Sequence, residues 1–177
     1  VFSGHGMAAQ VVPNIIDLSR FRPADVRRAM GQHIVVARNL EPIYDNETAL
    51  HAFRLVLDRH PQARLTVAGS GPEEARLVAL AQSLGLSAAV RFTGRLDRDA
   101  RAALYREADV SLNPSLADNM PNSVLEALAS GTPVVSTDVG GDPFIVRDGV
   151  TALLVPPADP QAMAAAILRL LEDEALH

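Results

Sequence analysis

Two carboxylates stand eight positions apart in the stretch SLADNMPNSVLEALASGTPVV, residues 115–135, with an Asn-Met-Pro-Asn-Ser turn between them. Pro121 suits the first residue of a helix, because its missing N–H is one that a helix start leaves unused and its φ is preset. The amides of Asn122, Ser123 and Val124 then point out of the helix start without partners. Such a terminus carries about half a positive charge and readily takes a phosphate. Glu126 lies five residues past the proline, beyond that anion site. A carboxylate there can accept two ribose hydroxyls, each charge-assisted bond contributing roughly 1.5–3 kcal/mol. Asp118 can do the same for a sugar. A plainer chemistry fits the same letters, with Asp118 a loop or cap residue and Glu126 a solvated helix carboxylate, and the spacing leaves the two readings level.

The elements that must hold these groups alternate along the chain from residue 33 onward. HIVVAR (33–38), RLTVAGS (64–70), AAVRFTG (88–94), DVSLNPS (109–115), TPVVSTD (132–138) and TALLVPP (151–157) read as strands. Helical spacing fills 46–59, 72–84, 98–107, 121–130 and 159–173, with Ala100, Ala103 and Leu104 marking the inner face of the third helix. Six strands and five or six helices, the strands being almost continuous apolar runs, predict an α/β fold: a Rossmann-like, doubly wound, six-stranded parallel sheet with helices on both faces. Arg38, Gly69-Ser70-Gly71, Gly94, the loop from Ser115 to Asn122 and Gly140-Gly141 all follow the carboxyl end of a strand. Ligands of open α/β sheets bind outside those ends, where the strand order reverses. With the order 3-2-1-4-5-6, Arg38 would lie beside the Asp118 loop.

Composition narrows the partners. The chain has 177 residues, enough for one well-buried domain, and a net charge of -5 with no basic stripe, which speaks against a nucleic-acid surface. All 16 basic residues are arginine, so an anion site must be built from guanidinium forks and backbone amides. With no cysteine, disulfides, cysteine-ligated zinc and thiol catalysis are excluded together. No apolar run is long enough to cross a bilayer. Asp97-Arg98-Asp99 has the letters of a metal-binding D-x-D, but it opens a helix, where capping is the better reading. Asn46-Glu47-Thr48 is a glycosylation sequon in letters only, also at a helix start, and His5 is given no role. The first residues open inside an apolar-polar mixture with no initiator Met, as in a chain entered mid-protein.

VVPNIIDLSRFRP, LTVAGSGP, VRFTG, the acids Asp118 and Glu126 with seven residues between them, LEALASGTPVVSTDVGG and DGVTALLVPP occur in this order over nearly the whole chain. Together they resemble the nucleotide-sugar-binding C-terminal domain of a glycosyltransferase of family 4, group 1, with the GT-B architecture. The resemblance implies retaining transfer of a sugar from a nucleoside-diphosphate sugar, a donor substrate needing no cofactor and no obligatory metal, to an acceptor. It implies that Asp118 contacts the donor sugar, that Glu126 holds the ribose, and that Arg38 stabilises the diphosphate. Gly94, Arg95 and Leu96 would touch the base, while Gly69, Gly71, Gly140 and Gly141 would let backbone approach the donor or the facing domain. The sequence departs from the family twice: the first acid is one methylene shorter, and the lysine expected a few residues after Arg38 is replaced by Tyr44 and Asp45. The expected division is 1–32 as the end of an N-terminal, acceptor-binding domain plus linker, and 33–177 as the donor domain. The full protein is expected in the cytoplasm, with peripheral attachment to the inner membrane compatible. A non-catalytic GT-B-like binding domain and a nucleotide-sugar epimerase are the alternatives.

Overall fold

Alternation of side chains along the first strand decides the architecture. In β1 (His33–Val36), Ile34 and Val36 enter one apolar cluster and Val35 the other, so the strand is covered on both faces. The same alternation recurs in β5 (Val134–Thr137), where Val135 joins the first cluster and Val134 the second. With β2 (Arg64–Ala68), β3 (Val90–Gly94), β4 (Val110–Asn113) and β6 (Leu153–Val155), these strands form one six-stranded sheet, in which every named pairing is parallel. The structure is a computed structural model and describes residues 14–25 and 31–173. Most of the segment 1–32, His5 included, lies outside the described residues.

The strand order is β3-β2-β1-β4-β5-β6. β1 and β4 are therefore neighbours from which successive connections run in opposite directions, and the loops leaving their carboxyl ends part to form a crevice. α1 (Asn46–Arg59), α2 (Glu74–Ser83) and α6 (Pro160–Glu172) bury their apolar faces in the larger cluster. α3 (Arg98–Glu107) and α4 (Asn122–Ala129) pack on the opposite face with Phe21, and a short α5 (Asp142–Ile145) follows β5. The observed inner face of α3 carries Ala102, Leu104 and Tyr105, whereas Ala100 is exposed and Ala103 only half-buried, so the face is rotated from the expected one. Asp97 explains the helix start: its side chain accepts from the Ala100 amide at 2.8 Å, the capping role expected of the D-x-D letters.

Residues 14–25 lie against this second face. Phe21 is buried with its ring centroid 6.3 Å from that of Tyr105. Arg20 pairs with Asp99, and Arg106 Nη1 donates to the Arg20 carbonyl at 3.2 Å. Asn14 Nδ2 donates to the Met120 carbonyl at 3.0 Å and to Asn122 Oδ1 at 2.8 Å.

Phe53 of α1 is fully buried in the larger cluster. Truncation leaves a cavity as well as losing transfer free energy, so Phe53→Ala should lower the stability of the chain by about 3–5 kcal/mol in urea titration at constant m.

Candidate functional site

Arg38 is carried by the loop after β1 and Asp118 by the loop after β4, the two strands that flank the crevice. Their side chains meet: Arg38 Nη2 donates to Asp118 Oδ2, and Nη1 donates to Ser123 Oγ at 3.0 Å. Both are largely withdrawn from water, the Arg38 side chain 8% and that of Asp118 13% exposed. The Tyr44 ring lies 4.0 Å from the guanidinium carbon and covers one face of it. Arg38 Nε is buried without a hydrogen-bond partner. Asp118 is thus neither a helix cap nor a free carboxylate, but an ion-pair partner of the arginine expected to meet the diphosphate.

Two glycine turns set this pair in place. A Cβ on Gly69 would fall 1.8 Å from the Arg38 carbonyl oxygen, and one on Gly71 would fall 2.3 Å from that of Leu40. The β2–α2 turn therefore lies directly on the loop that carries Arg38, with Leu40 N donating to the Ser70 carbonyl at 3.0 Å. Across the crevice, Gly140 (φ +53°) would place a Cβ 1.8 Å from the Asp118 carbonyl oxygen, and Gly141 one 1.5 Å from that of Asn119. Gly141 N donates to the Asp118 carbonyl at 2.9 Å. These close approaches are of backbone to backbone.

α4 begins at Asn122, with Pro121 extended (ψ 111°) just before it and without a capping side chain. The proline side chain has no acceptor to offer, so no side chain caps the first amides. Asn122 and Ser123 keep theirs without partners among the described residues. Val124 does not: its amide donates to the Pro121 carbonyl at 3.2 Å and its side chain is buried in the core, which removes it from the expected phosphate contacts. Glu126 is not solvated, its side chain being 9% exposed. Arg101, on α3, grips it with a two-point fork, Nε to Oε2 at 2.7 Å and Nη2 to Oε1 at 2.8 Å. Arg38, Tyr44, Arg101, Asn122, Ser123 and Glu126 line one cleft of about 250 Å³. Gly94 (φ +69°) ends the edge strand β3, Arg95 and Leu96 follow it, and none of the three lines the cleft.

Two features escape sequence reasoning. Arg101 was detectable only as an arginine four residues before a core tyrosine on one helix face. The second is a buried polar network under the crevice, within strands that read as apolar runs. Asn113 Nδ2 donates to Ser136 Oγ at 2.9 Å and to Asp142 Oδ2 at 3.2 Å, Ser115 Oγ donates to Asn113 Oδ1 at 2.9 Å, and Thr137 Oγ1 donates to the Ser115 carbonyl at 2.6 Å. Burial pushes the Asp142 carboxyl up to about 6; the Asp118 charge acts in the same direction, against hydrogen bonds from Ser136 and Asn113 and the charge of Arg38. Asp142 Oδ1 is buried without a partner. The residues standing where the family's lysine is expected have structural roles: Tyr44 covers Arg38, and Asp45 caps α1 by accepting from Thr48 N at 3.3 Å. Asn46 of the sequon is buried, its Nδ2 donating to the Asn39 carbonyl at 3.1 Å.

Comparison with known proteins agrees with the fold. The sequence pattern of the family described as "Glycosyl transferases group 1" matches residues 31–173. A D-inositol 3-phosphate glycosyltransferase of Streptomyces bingchenggensis is 35% identical over 96% of this chain and 41% of its own length. A sucrose-phosphate synthase from Thermosynechococcus elongatus superimposes with a TM-score of 0.82 at 32% identity, over 91% of this chain and 43% of that one. HepE of Anabaena, solved with UDP-glucose, gives a TM-score of 0.77 at 23% identity over 82% and 40% of the two chains, a likeness of fold. The chain spans about two fifths of the length of these proteins.

The Asp142 network makes stability depend on pH. An acid whose folded pKa lies above its unfolded value of roughly 3.9 holds its proton more tightly when folded, so its contribution is greatest below that value and is lost as pH rises through 6. Asp142→Asn does not titrate. Its melting temperature minus that of the parent should rise steadily between pH 4 and pH 7; a difference flat with pH would contradict a proton held at Asp142.

Proposed function

The chain belongs to the group 1 glycosyl transferases, and from that premise we propose that it is the donor-binding domain of an enzyme that transfers a sugar, with retention, from a nucleoside-diphosphate sugar to an acceptor held by another domain of the same protein. The observation that carries this reading is the convergence of Arg38, the open start of α4 and Glu126 on one cleft. The Asn122 and Ser123 amides and Arg38 suit a diphosphate, and Glu126 suits the ribose. Transfer breaks the bond between the sugar's anomeric carbon and a diphosphate oxygen, forms a bond to the acceptor oxygen and releases the acceptor's proton. Charge gathers on the departing diphosphate, and Arg38 with the helix start is placed to stabilise it.

Asp118 enters this scheme through exchange of partners. A phosphate oxygen competes with its carboxylate for Arg38, and the released acid then accepts hydroxyls of the donor sugar. The cleft's volume of about 250 Å³ falls short of the roughly 300–1,000 Å³ usual for a complete small-molecule site. That supports a donor site completed by a second wall, the role of an acceptor-binding domain. HepE, of similar fold, is known with UDP-glucose, which makes a uridine donor the first to test.

Calorimetric titration with UDP, GDP and ADP tests the reading, and absence of binding by all three to the folded chain would overturn it. Glu126→Gln should weaken binding of the preferred diphosphate by about tenfold, the equivalent of one charge-assisted hydrogen bond. Asp118→Asn should leave that affinity within about threefold and remove the advantage of the nucleotide-sugar over the bare diphosphate.

A further inference from the structure

Both acids of the candidate site, Glu126 in the cleft and Asp118 beside it, are already neutralised, Asp118 by Arg38 and Glu126 by Arg101. A nucleoside diphosphate brings further negative charge, and the chain holds no lysine to meet it. The geometry of Arg101 shows where a second cation comes from. A guanidinium has five N–H donors in a planar fork. Arg101 spends Nε and one hydrogen of Nη2 on Glu126, and its Nη1 bonds no described residue. The side chain is 29% exposed, lines the cleft, and has Phe21 5.9 Å from its central carbon. Its partner Glu126 is three residues along α4 from Ser123, about 4.5 Å along the helix axis. A phosphate joined to a ribose held at Glu126 must lie across that interval on its way to the helix start.

We propose that Arg101 is a second donor-binding cation: it holds the Glu126 carboxylate toward the ribose and gives its free Nη1 hydrogens to the phosphate attached to that ribose. This rests on the donor-binding reading above. It deepens that reading by taking the phosphate clamp from α3, a helix absent from the sequence-based site. Arg101 thus joins two parts of one ligand, hydroxyls through Glu126 and phosphate directly, so its removal must cost more for a phosphorylated ligand than for a bare nucleoside.

The experiment titrates the chain, Arg101→Met and Arg101→Gln with whichever of UDP, GDP and ADP the parent binds most tightly, and with the matching nucleoside in competition. Both variants should lose affinity for the diphosphate, and that loss should exceed the loss for the nucleoside by about tenfold, one charge-assisted contact. Equal losses for the two ligands, or none for the diphosphate, overturn the proposal and leave Arg101 a structural partner of Glu126. If Arg101→Met does not fold by thermal melting, Arg101→Gln carries the comparison, since its amide still reaches for Glu126. A parent chain that binds none of the three diphosphates removes the donor reading, and this inference with it. A parent that binds while both variants bind equally well removes only the inference.

Discussion

A carboxylate withdrawn from water is costly unless a cation and hydrogen bonds come with it. The site obeys that constraint twice, and its architecture follows from how. Arg38 and Asp118 come from the loops of adjacent strands, so their pair bridges the crevice. Arg101 and Glu126 come from neighbouring helices, so theirs joins α3 to α4 on one face of the sheet. Breaking either pair by removing one partner would strand a charge, whereas a polyanionic ligand rich in hydroxyls offers each member a replacement. On the donor-binding proposal, the arginines would turn to phosphate and the acids to hydroxyls, so the pairs seen here would be exchanged for pairs with the donor.

The frame of this arrangement was legible in the sequence because it rests on local signals. Strands buried on both faces read as apolar runs, and Asp97 marks a helix start by a capping chemistry that needs only three residues of context. The bounds of α1 and α3 agree with the helical spacing. The meeting of Arg38 with the Asp118 loop was legible too, as a consequence of strand order. What lay hidden depends on contacts between distant residues. Arg101 precedes its partner by 25 positions on another helix, and nothing in its neighbours announces an acid facing it. Asn113 and Asp142 are polar residues inside buried segments, meaningful only once β4 and β5 stand side by side.

Glycine illustrates the same limit. Gly69, Gly71, Gly140 and Gly141 read naturally as places where a ligand nears the main chain. In the fold each clears the way for a neighbouring carbonyl. The two turns press on the loops bearing Arg38 and Asp118, and so fix the positions from which those side chains reach each other. Small residues at strand ends thus position the site's side chains at one remove, by stacking loop on loop.

Residues 14–25 touch this machinery at both ends. Asn14 hydrogen-bonds the turn before α4 and Asn122 itself, while Phe21 lies under Arg101 and against Tyr105. The segment is a strap fastened to the mouth and the floor of the pocket alike. A displacement of residues 14–25 would therefore be felt first at Asn122 and Arg101, the two cleft residues that the segment touches.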